Sequence, residues 1–587
     1  LREKILQALP GQRYAPVMVA LVLGDQRAVS QSDWAMFNRT GISHLVSISG
    51  LHITMIAGLF AGLVSALWRR SFFTQAQLPL ILATQKVAAL AAVVSALAYV
   101  ALSGFGVPAQ RTLIMLSVAA LALWSGRSSS ASHVLCSALA LVVLIDPWAV
   151  LAPGFWLSFA AVGLIFFGAS GRVSASASGA NLLWRNLKAA CHSQYLVTLG
   201  LLPFTLLLFG QFSVVGPVAN ALAIPLVSFV VTPLALLGSA LPAPLCAFLL
   251  QLAHAVFSGL AQVLQWLNLS ALAVWTTPQP AAWMFVLALA GMLWLLAPRG
   301  WPLRWLGPLL CLPVCLNQAD APAEGALWLT AFDIGQGNAL LLETAHHRLV
   351  YDTGPAYSPL SDGGNRVIVP YLKARGIEKL DGLIVSHRDL DHVGGALSLL
   401  QSMPVGWLSS SLELEHPVIK AARQHQRCLA GQKWQWDGVQ FEILHPGAEL
   451  YADPRAKSNA HSCTLKVRIG QQSILLAGDI EAPQEAMLLQ SRPGDLAATI
   501  LLAPHHGSGT SSTQAFLQAV RPQWAVFQVG YHNRYRHPKQ QVWQRYQDLG
   551  IGRLRTDEMG AIEMRLQAQG LHWQTYRQTH ARYWYGR

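Results

Sequence analysis

The stretch SHRDLDHVGG, residues 386 to 395, places five oxygen or imidazole side chains within seven residues and closes on a glycine pair that lets the chain turn. It follows the apolar run LIVS directly, so His387, Asp389, Asp391 and His392 share one loop at the C-terminal end of a strand, where α/β sheets place their chemistry. Two later segments repeat that placement: Asp479 follows SILLAG, and His505 with His506 follows ILLAP. Any one of these residues alone reads as a polar turn cap. Together, after three successive strands, they read as a set of metal ligands. A further loop after WAVFQVG, GYHNRYRHPK, clusters Arg534, Arg536, His537 and Lys539 beside Tyr531 and Tyr535. It reads either as a solvated loop or as a grip on phosphate with aromatic rings on which bases stack. His537 is a candidate to protonate a leaving group or to complete a metal shell. DIGQGNA (Asp333 to Ala339) is glycine-rich but has no Lys-Ser/Thr after it, so it is not a P-loop; it and Asp352 in VYDTG read as supporting structure.

The elements that must position these residues begin after Pro322. ALWLTAFDIGQGNALLLE, HRLVYDTG, LDGLIVSHRD, SILLAGD, ATILLAPHHGS and WAVFQVG are short apolar strands ending in turns, interleaved with helical stretches at 393–402, 481–490 and 513–520. That alternation predicts an α/β layered domain over 324–587, joined by a linker at 317–323 to what precedes it.

The first half is of another kind. Of 587 residues, 53% are hydrophobic and 12% charged, outside the usual soluble range. The division is sharper than the average: between Asp33 and Asp320 the only acid is Asp146, whereas residues 320 to 587 hold 24 of the 28 acids and 26 of the 41 bases. A polytopic helical membrane domain over 41–316 therefore carries most of the net positive charge, after an amphipathic or linker region at 1–40. Taking about 20 apolar residues per span, helices are predicted near 43–66, 87–104, 109–125, 132–150, 154–170, 193–212, 214–238, 242–267, 281–297 and 303–316. Arg69, Arg70 and Lys86 follow the first span, Arg127 the third, Arg172, Arg185 and Lys188 the fifth, and Arg299 and Arg304 the ninth, so these loops share one side. If that side is the cytoplasm and the last span is real, the C-terminal domain faces outward; if 303–316 lies at the interface, it faces inward.

GISHLVSISGLHITMIAGLFAGL in the first span carries His44, Ser49 and His52, with Gly58 and Gly62 spaced for close helix packing. On one continuous helix His44 and His52 lie about 80° apart and share a broad face. They line a polar path or are packing residues satisfied by neighbours. Arg111, opening the third span in GFGVPAQRTLIM, either snorkels to a headgroup or meets an anionic substrate. Five of the seven cysteines lie in apolar segments, no CxxC pattern occurs, and Cys428 and Cys463 can pair only if the fold brings them together.

SHRDLDHVGG resembles the metallo-β-lactamase superfamily motif H-x-H-x-D-H, and LAGD and LAPHHGS are similar to its later metal motifs. Asp389 stands where that motif has its second histidine, and oxygen-rich sites suit manganese or magnesium better than zinc. In SNAHSCTL, Asn459, His461 and Ser462 are the alternatives for the third-motif histidine. The resemblance implies an αββα sandwich with two divalent ions, His387 and Asp389 on one, His392 and His505 on the other, Asp391 and Asp479 bridging, and Asp391 also central to catalysis. Two such ions clamp both oxygens of an in-line displacement, and a phosphodiester is a natural substrate. GISHLVSISGLHITMIAGL, GFGVPAQRTLIM, GFWLSFAAVGLIFFG and GLLPFTLLLFGQFSVVGPVANALAIPLVS are similar to the competence domain of the ComEC family, and the order of the two domains matches that family from about residue 11 to 560. Family members carry early spans and an OB-like domain before this region; beginning at Leu1, the chain is expected to be a processed or truncated form. Asn338 stands where the family has aspartate in D-x-G-Q-G-D.

The resemblance implies an inner-membrane, multi-pass channel for uptake of single-stranded DNA in natural transformation, with an outward-facing nuclease domain degrading the other strand. It further implies a periplasmic or surface DNA receptor, a cytoplasmic ATPase or helicase, since no Walker A motif is present, and a possible homo-oligomer. The net positive membrane domain fits a polyanionic partner. Arg534, Arg536, Lys539 and Tyr535 are the expected DNA-binding residues. Two readings compete: a membrane-anchored metallo-hydrolase of small esters or lactones, and a channel whose C-terminal domain binds DNA without cutting it.

Overall fold

The computed structural model describes residues 1–74, 76–126, 130–170, 182–270, 272–298, 300–567 and 570–582. Arg127, Arg172 and Arg299 lie outside the described residues. The chain divides into two compact units, Leu1–Asn317 and Gln318–Arg587.

Among the described residues of the first unit, six helices are long and apolar enough to cross a membrane: Gly50–Phe73, Thr84–Leu102, Val107–Trp124, Leu187–Phe209, Gly216–Ala240 and Leu245–Asn268. Shorter apolar helices occupy Ala131–Ile145, Pro153–Ala169, Ala282–Leu296 and Arg304–Cys315. The last two form an antiparallel hairpin in which Gly291 and Gly307 meet so closely that a Cβ on either would stand 2.3 Å from the other's carbonyl oxygen. The helix Gly216–Leu226 continues through a π turn at Val227–Val231 into Thr232–Ala240. Pro233 explains the irregularity, because it has no N–H to give to the carbonyl four residues back.

The structure departs from the sequence reading in three places here. Residues 1–40 are not a linker: Ala15–Leu23 is apolar on every side and buries Val17 to Val22, and Tyr14 packs edge-on to Phe257 at 5.4 Å. Lys4 donates to the carbonyls of Ser239 (2.9 Å) and Leu241 (2.7 Å) at the end of another helix. Second, His44 and His52 do not share a helix. His44 lies in a 3₁₀ turn, Ser43–Leu45, and the span starts only at Gly50, because Ser49 forms a capping box with His52. Third, Gly58 and Gly62 have nothing within 4 Å of where a Cβ would sit, so neither mediates helix packing within this unit.

The second unit is a sandwich of two mixed sheets. The first runs, in spatial order, through residues 425–427, 405–410, 380–385, 348–351, 340–343, 327–331, 562–567 and 570–575; the second through 433–436, 439–445, 464–469, 472–476, 500–502, 524–527 and 552–555. Their facing sides bury one core, including Leu329, Leu342, Ile384, Phe441, Leu465, Leu476 and Met564. Helices cover the outer faces: Val369–Ala374 and Ala396–Ser402 pack on the first sheet, Ala482–Ser491, Gln514–Val520 and Gln540–Asp548 on the second. Leu380–Val385 pairs in parallel with Arg348–Tyr351, and Ile500–Leu502 in parallel with both Gln472–Leu476 and Trp524–Phe527. Parallel pairing brings their C-terminal ends, and the loops that carry the polar motifs, to one edge of the sandwich. Inside it Cys428 and Cys463, with Cα atoms 6.1 Å apart, form a disulfide, so the fold does bring these two cysteines together.

Candidate metal centre

Five strand ends supply the site. From the end of Leu380–Val385 come His387, Asp389, Asp391 and His392; Asp479 follows Gln472–Leu476, and His505 and His506 follow Ile500–Leu502. Asp352 comes from Arg348–Tyr351 and Gln528 from Trp524–Phe527.

Two triads of ligand-type atoms converge, each within 4.8 Å of one another: His387, His392 and Asp479, and Asp391, His392 and His506. His392 belongs to both, and Asp479 reaches across, with Oδ1 3.2 Å from His392 Nε2 and Oδ2 3.5 Å from His506 Nε2. Asp391 Oδ2 stands 3.5 Å from His506 Nε2 and 4.0 Å from His392 Nε2. Asp389 Oδ2, 44% exposed, lies 3.6 Å from His387 Nε2 at the outer side.

The imidazoles are held in one orientation. His392 Nδ1 bonds to Asp352 Oδ2 at 2.8 Å, His506 Nδ1 to the Gln528 carbonyl at 3.0 Å, and His387 Nδ1 to Ser386 Oγ at 2.9 Å. Each Nδ1 is thereby engaged and each Nε2 turned inward, the arrangement by which a second layer of hydrogen bonds fixes a metal-binding histidine. Asp352 itself takes the Ser386 N–H (2.6 Å) and hydroxyl (2.8 Å). His387, His392 and His506 Nε2 and Asp479 Oδ1 are buried and make no hydrogen bond. Four such atoms facing one another are costly unless a cation satisfies them, and the donor set, imidazole nitrogen and carboxylate oxygen, fits a divalent transition metal.

The electrostatics agree. Burial pushes the Asp391 and Asp479 carboxyls up, but the neighbouring histidines, His392 foremost, more than offset it and hold both well below the usual carboxylate range. Burial likewise pushes His392 and His506 down, and the surrounding carboxylates, Asp479 first, carry both above an ordinary imidazole. Asp389 is held low chiefly by its bond to His387.

His505 is the residue that sequence placed in the centre and structure places at its rim. Both histidines of the PHHG turn have left-handed backbones, φ 48° and 54°, and the turn directs His506 inward. His505 Nε2 is 3.7 Å from Asp479 Oδ2, while its Nδ1 faces Glu481 (3.4 Å) and Thr510 (3.3 Å). Spacing alone could not choose between adjacent histidines. Among the three alternatives in SNAHSCTL, Ser462 is the one beside the centre, its Oγ 3.5 Å from His387 Nδ1 and accepting the Asp479 N–H at 3.2 Å; His461 bonds instead to the carbonyls of Lys457 and Leu450. The DIGQGNA loop underlies Asp391: Asn338 N–H donates to the Asp391 carbonyl at 3.1 Å, and Gly337 presses against that carbonyl so closely that a Cβ would stand 2.2 Å from it. Gln528, which sequence reading missed, holds this loop by donating to the Phe332 and Ala339 carbonyls and accepting the Ala339 N–H. A glutamine after a strand carries no sequence signal.

His537 borders the centre, its ring 5.9 Å from that of His505. Burial and the nearby histidines push it down to about 4. Arg534 lies 4.7 Å over the Tyr535 ring, and Lys539 donates to the Tyr535 carbonyl at 2.8 Å. In the helical unit, Arg111 is buried, with Nε unpartnered and one terminal nitrogen beside Gly154, so it does not snorkel outward. His52 is also fully buried with Nε2 unpartnered, whereas His44 is exposed.

A two-sheet sandwich with this histidine-aspartate centre, preceded by a polytopic apolar unit, is a metallo-β-lactamase-type domain joined to a membrane domain. Comparison with known proteins gives the same pair: residues 21–302 match the model of the Competence protein family and 332–530 that of the metallo-β-lactamase superfamily. The chain belongs to the ComEC family of competence proteins. It is 37% identical to Competence protein ComA of Neisseria gonorrhoeae over 96% of this chain and 76% of that one. It is 33% identical to the uncharacterized protein YcaI of Escherichia coli over 97% and 73%, and 29% identical to ComE operon protein 3 of Bacillus subtilis over 94% and 71%. Among solved structures it is similar to Zn-bound PqqB of Methylobacterium extorquens (8% identity, TM-score 0.26, covering 39% of this chain and 97% of that one). It is also similar to CmlA, a diiron β-hydroxylase of Streptomyces venezuelae (14%, TM-score 0.30, 42% and 55%).

Proposed function

We propose that the protein takes up DNA across the inner membrane, its helical unit passing one strand and its sandwich unit hydrolysing phosphodiester bonds of the other. The observation that carries the hydrolase reading is the set of four buried, converging ligand atoms without hydrogen bonds. His387, Asp389 and Asp479 would hold one divalent cation and Asp391, His392 and His506 a second, which the other oxygen of Asp479 would also reach, with His505 at the flank; His392 offers one nitrogen, Nε2, and so would serve one cation only. Such cations supply Lewis acidity and a nucleophilic water at neutral pH. The chain's own part is to hold three imidazoles with Nε2 inward, to keep Asp391 and Asp479 ionised, and to offer Arg534, Arg536, Lys539 and Tyr535 to the strand. Hydrolysis adds water across one phosphorus–oxygen bond and leaves a phosphomonoester and a hydroxyl; His537, unprotonated at neutral pH in the metal-free protein, would first accept the proton that the attacking water loses and then release it to the departing oxygen. Three carboxylates among three imidazoles favour manganese over magnesium, which wants oxygen ligands almost alone.

We read the sandwich unit as lying on the outer face: the Gly291–Gly307 contact supports counting Arg304–Cys315 as a tenth span, and the reading takes the basic loops as cytoplasmic.

The test is cleavage of labelled double- and single-stranded DNA by the full chain with manganese, magnesium or zinc, beside Asp391→Ala. Manganese-dependent cutting that the variant loses is the expected result. Absence of cutting with every metal would leave DNA binding without hydrolysis, or a small ester substrate, as the reading.

A further inference from the structure

Beside the metal centre lies a cavity of about 560 Å³ lined by His532, Asn533, Arg534, Arg536, His537, Pro538, Arg555 and Asp557. That volume is within the range of small-molecule sites, about 300–1,000 Å³, but its lining is cationic instead of apolar. The loop that forms its wall is rigidly built. His532 and Arg536 both hold left-handed backbones, φ 52° and 55°. The Asn533 side chain enforces this, donating to the carbonyls of Gly530 (3.1 Å) and His537 (2.8 Å) and accepting the His537 N–H (2.8 Å). Two left-handed non-glycine residues within five mark a segment whose shape is fixed by its surroundings, as ligand clamps are.

The cations in this wall are not equivalent. Arg555 is committed to Asp557 through two bonds of 3.0 and 2.7 Å, and Arg534 lies over the Tyr535 ring, whose hydroxyl it also meets. The guanidinium of Arg536 has no partner among the described residues, and His537 Nδ1 is buried without one. A free guanidinium facing a polar cavity, with its only carboxylate neutralised by Arg555, is suited to a phosphate, whose oxygens match the planar fork.

We propose that this cavity is a phosphate subsite in which Arg536 holds the phosphate next to the bond being cut, so that a phosphate-bearing nucleotide is the smallest unit the protein recognises. The meaning of the bound strand rests on the hydrolase reading; the binding does not. The experiment uses the full chain in detergent with EDTA, so that nothing is hydrolysed, and follows a fluorescent hexathymidylate by anisotropy over a range of salt. Arg536→Ala is expected to weaken binding at least tenfold and to lower the slope of log K against log salt by about 0.7, the value for one phosphate contact on a single strand. Arg536→Lys restores part of the affinity. Thymidine 3′- and 5′-monophosphates compete and thymidine does not. Arg553→Ala, which removes a guanidinium stacked on Trp543 outside the cavity lining, leaves both readouts unchanged. Unaltered affinity and slope in Arg536→Ala, or thymidine competing as well as its monophosphates, overturns the subsite. Arg536-dependent binding by a protein that cuts no DNA with any metal sinks the hydrolase reading alone, and unchanged cutting kinetics in Arg536→Ala sinks the subsite alone.

Discussion

Both units bury polar atoms without hydrogen-bond partners, and they do so in opposite ways. In the sandwich unit His387, His392, His506 and Asp479 turn theirs toward a common point. In the helical unit His52 Nε2, Arg111 Nε, Asn220 Oδ1, Ser228 Oγ and Thr232 Oγ1 are spread over three helices, the last three along the continuous Gly216–Ala240. A lone unsatisfied group costs about 1–3 kcal/mol, so both patterns call for a ligand or a solvent. Convergence fits a small, compact ion. Dispersal fits something extended, such as a hydrated path or a polymer, that touches each group in turn.

The sharpest way to break this contrast is to remove its centre. Asp479→Ala takes away the carboxylate that reaches both triads and leaves three imidazoles facing one another. Metal content measured on the purified protein should fall from two ions to at most one, and manganese-dependent DNA cleavage should fall by at least about 10³-fold, the scale of losing a main electrostatic group. His505→Ala, at the rim, should cost about 10–100-fold with metal content unchanged. Equal losses in both variants would mean that the centre is wider than the two triads.

The corresponding test in the helical unit is Arg111→Met, which keeps bulk and removes the charge. Because a buried, unpartnered guanidinium does not stabilise its surroundings, the variant should accumulate and melt like the parent or slightly higher. Uptake of labelled DNA in a transformable host lacking its own copy should nevertheless drop by about 10²-fold. A fall in protein level matching the fall in uptake would make Arg111 a packing residue.

Asp352→Asn probes the next layer. It keeps the shape but no longer accepts a proton from His392 Nδ1 as a charge, and metal affinity should fall by about 10–100-fold. The pH dependence has a definite sign. His392 and His506 are raised, so in the metal-free protein they carry protons that metal must displace, and affinity climbs as pH rises through and above about 6.5. Their contribution to the stability of the metal-free fold is complete below that value and lost as pH rises through the raised ones. The depressed carboxylates Asp391 and Asp479 contribute above about pH 4 and lose it as pH falls. Titration calorimetry in buffers of different ionisation enthalpy should count released protons in the parent and fewer in Asp352→Asn; an equal count would remove Asp352 from the role.

Much of this was legible in the sequence because period and punctuation carried it. Apolar runs gave most of the spans to within a few residues, the starts of the first and the sixth being displaced by six or more, and polar residues after successive apolar strands gave the loop edge. What could not be read was set by backbone handedness and by long-range contact. Which of His505 and His506 faces inward depends on two left-handed residues in the PHHG turn. That Ser462 rather than His461 adjoins His387 depends on where a 3₁₀ turn, Ser458–His461, ends. That Asp352 serves His392 depends on a pairing of parallel strands whose partners, such as Leu349 and Gly382, stand 33 residues apart in sequence, and no local signal records it. The N-terminal helix was missed for a different reason: nine apolar residues are too few for a span, and burial inside a helical bundle was the remaining possibility.

The smallest expected effect decides how the motif around the first span is understood. In SISGLH, Ser49 Oγ accepts the His52 N–H at 3.4 Å and His52 Nδ1 faces the Ser49 N–H at 3.5 Å, so both residues that looked like lining for a path are also the start signal of a helix. If capping is the whole of their role, Ser49→Ala should lower stability by about 1 kcal/mol and Ser49→Gly by only a few tenths, read as a shift in thermal melting in detergent, with uptake following protein level. If Ser49 also meets the transported strand, uptake should fall in both variants by more than the melting shift explains. His52→Asn separates the second half of the pair: it keeps a side-chain acceptor for the cap and discards the buried, unpartnered Nε2. Loss of uptake with an intact melting temperature in that variant would give His52 a part in uptake beyond capping, and retention of uptake would leave the helix start as its sole use.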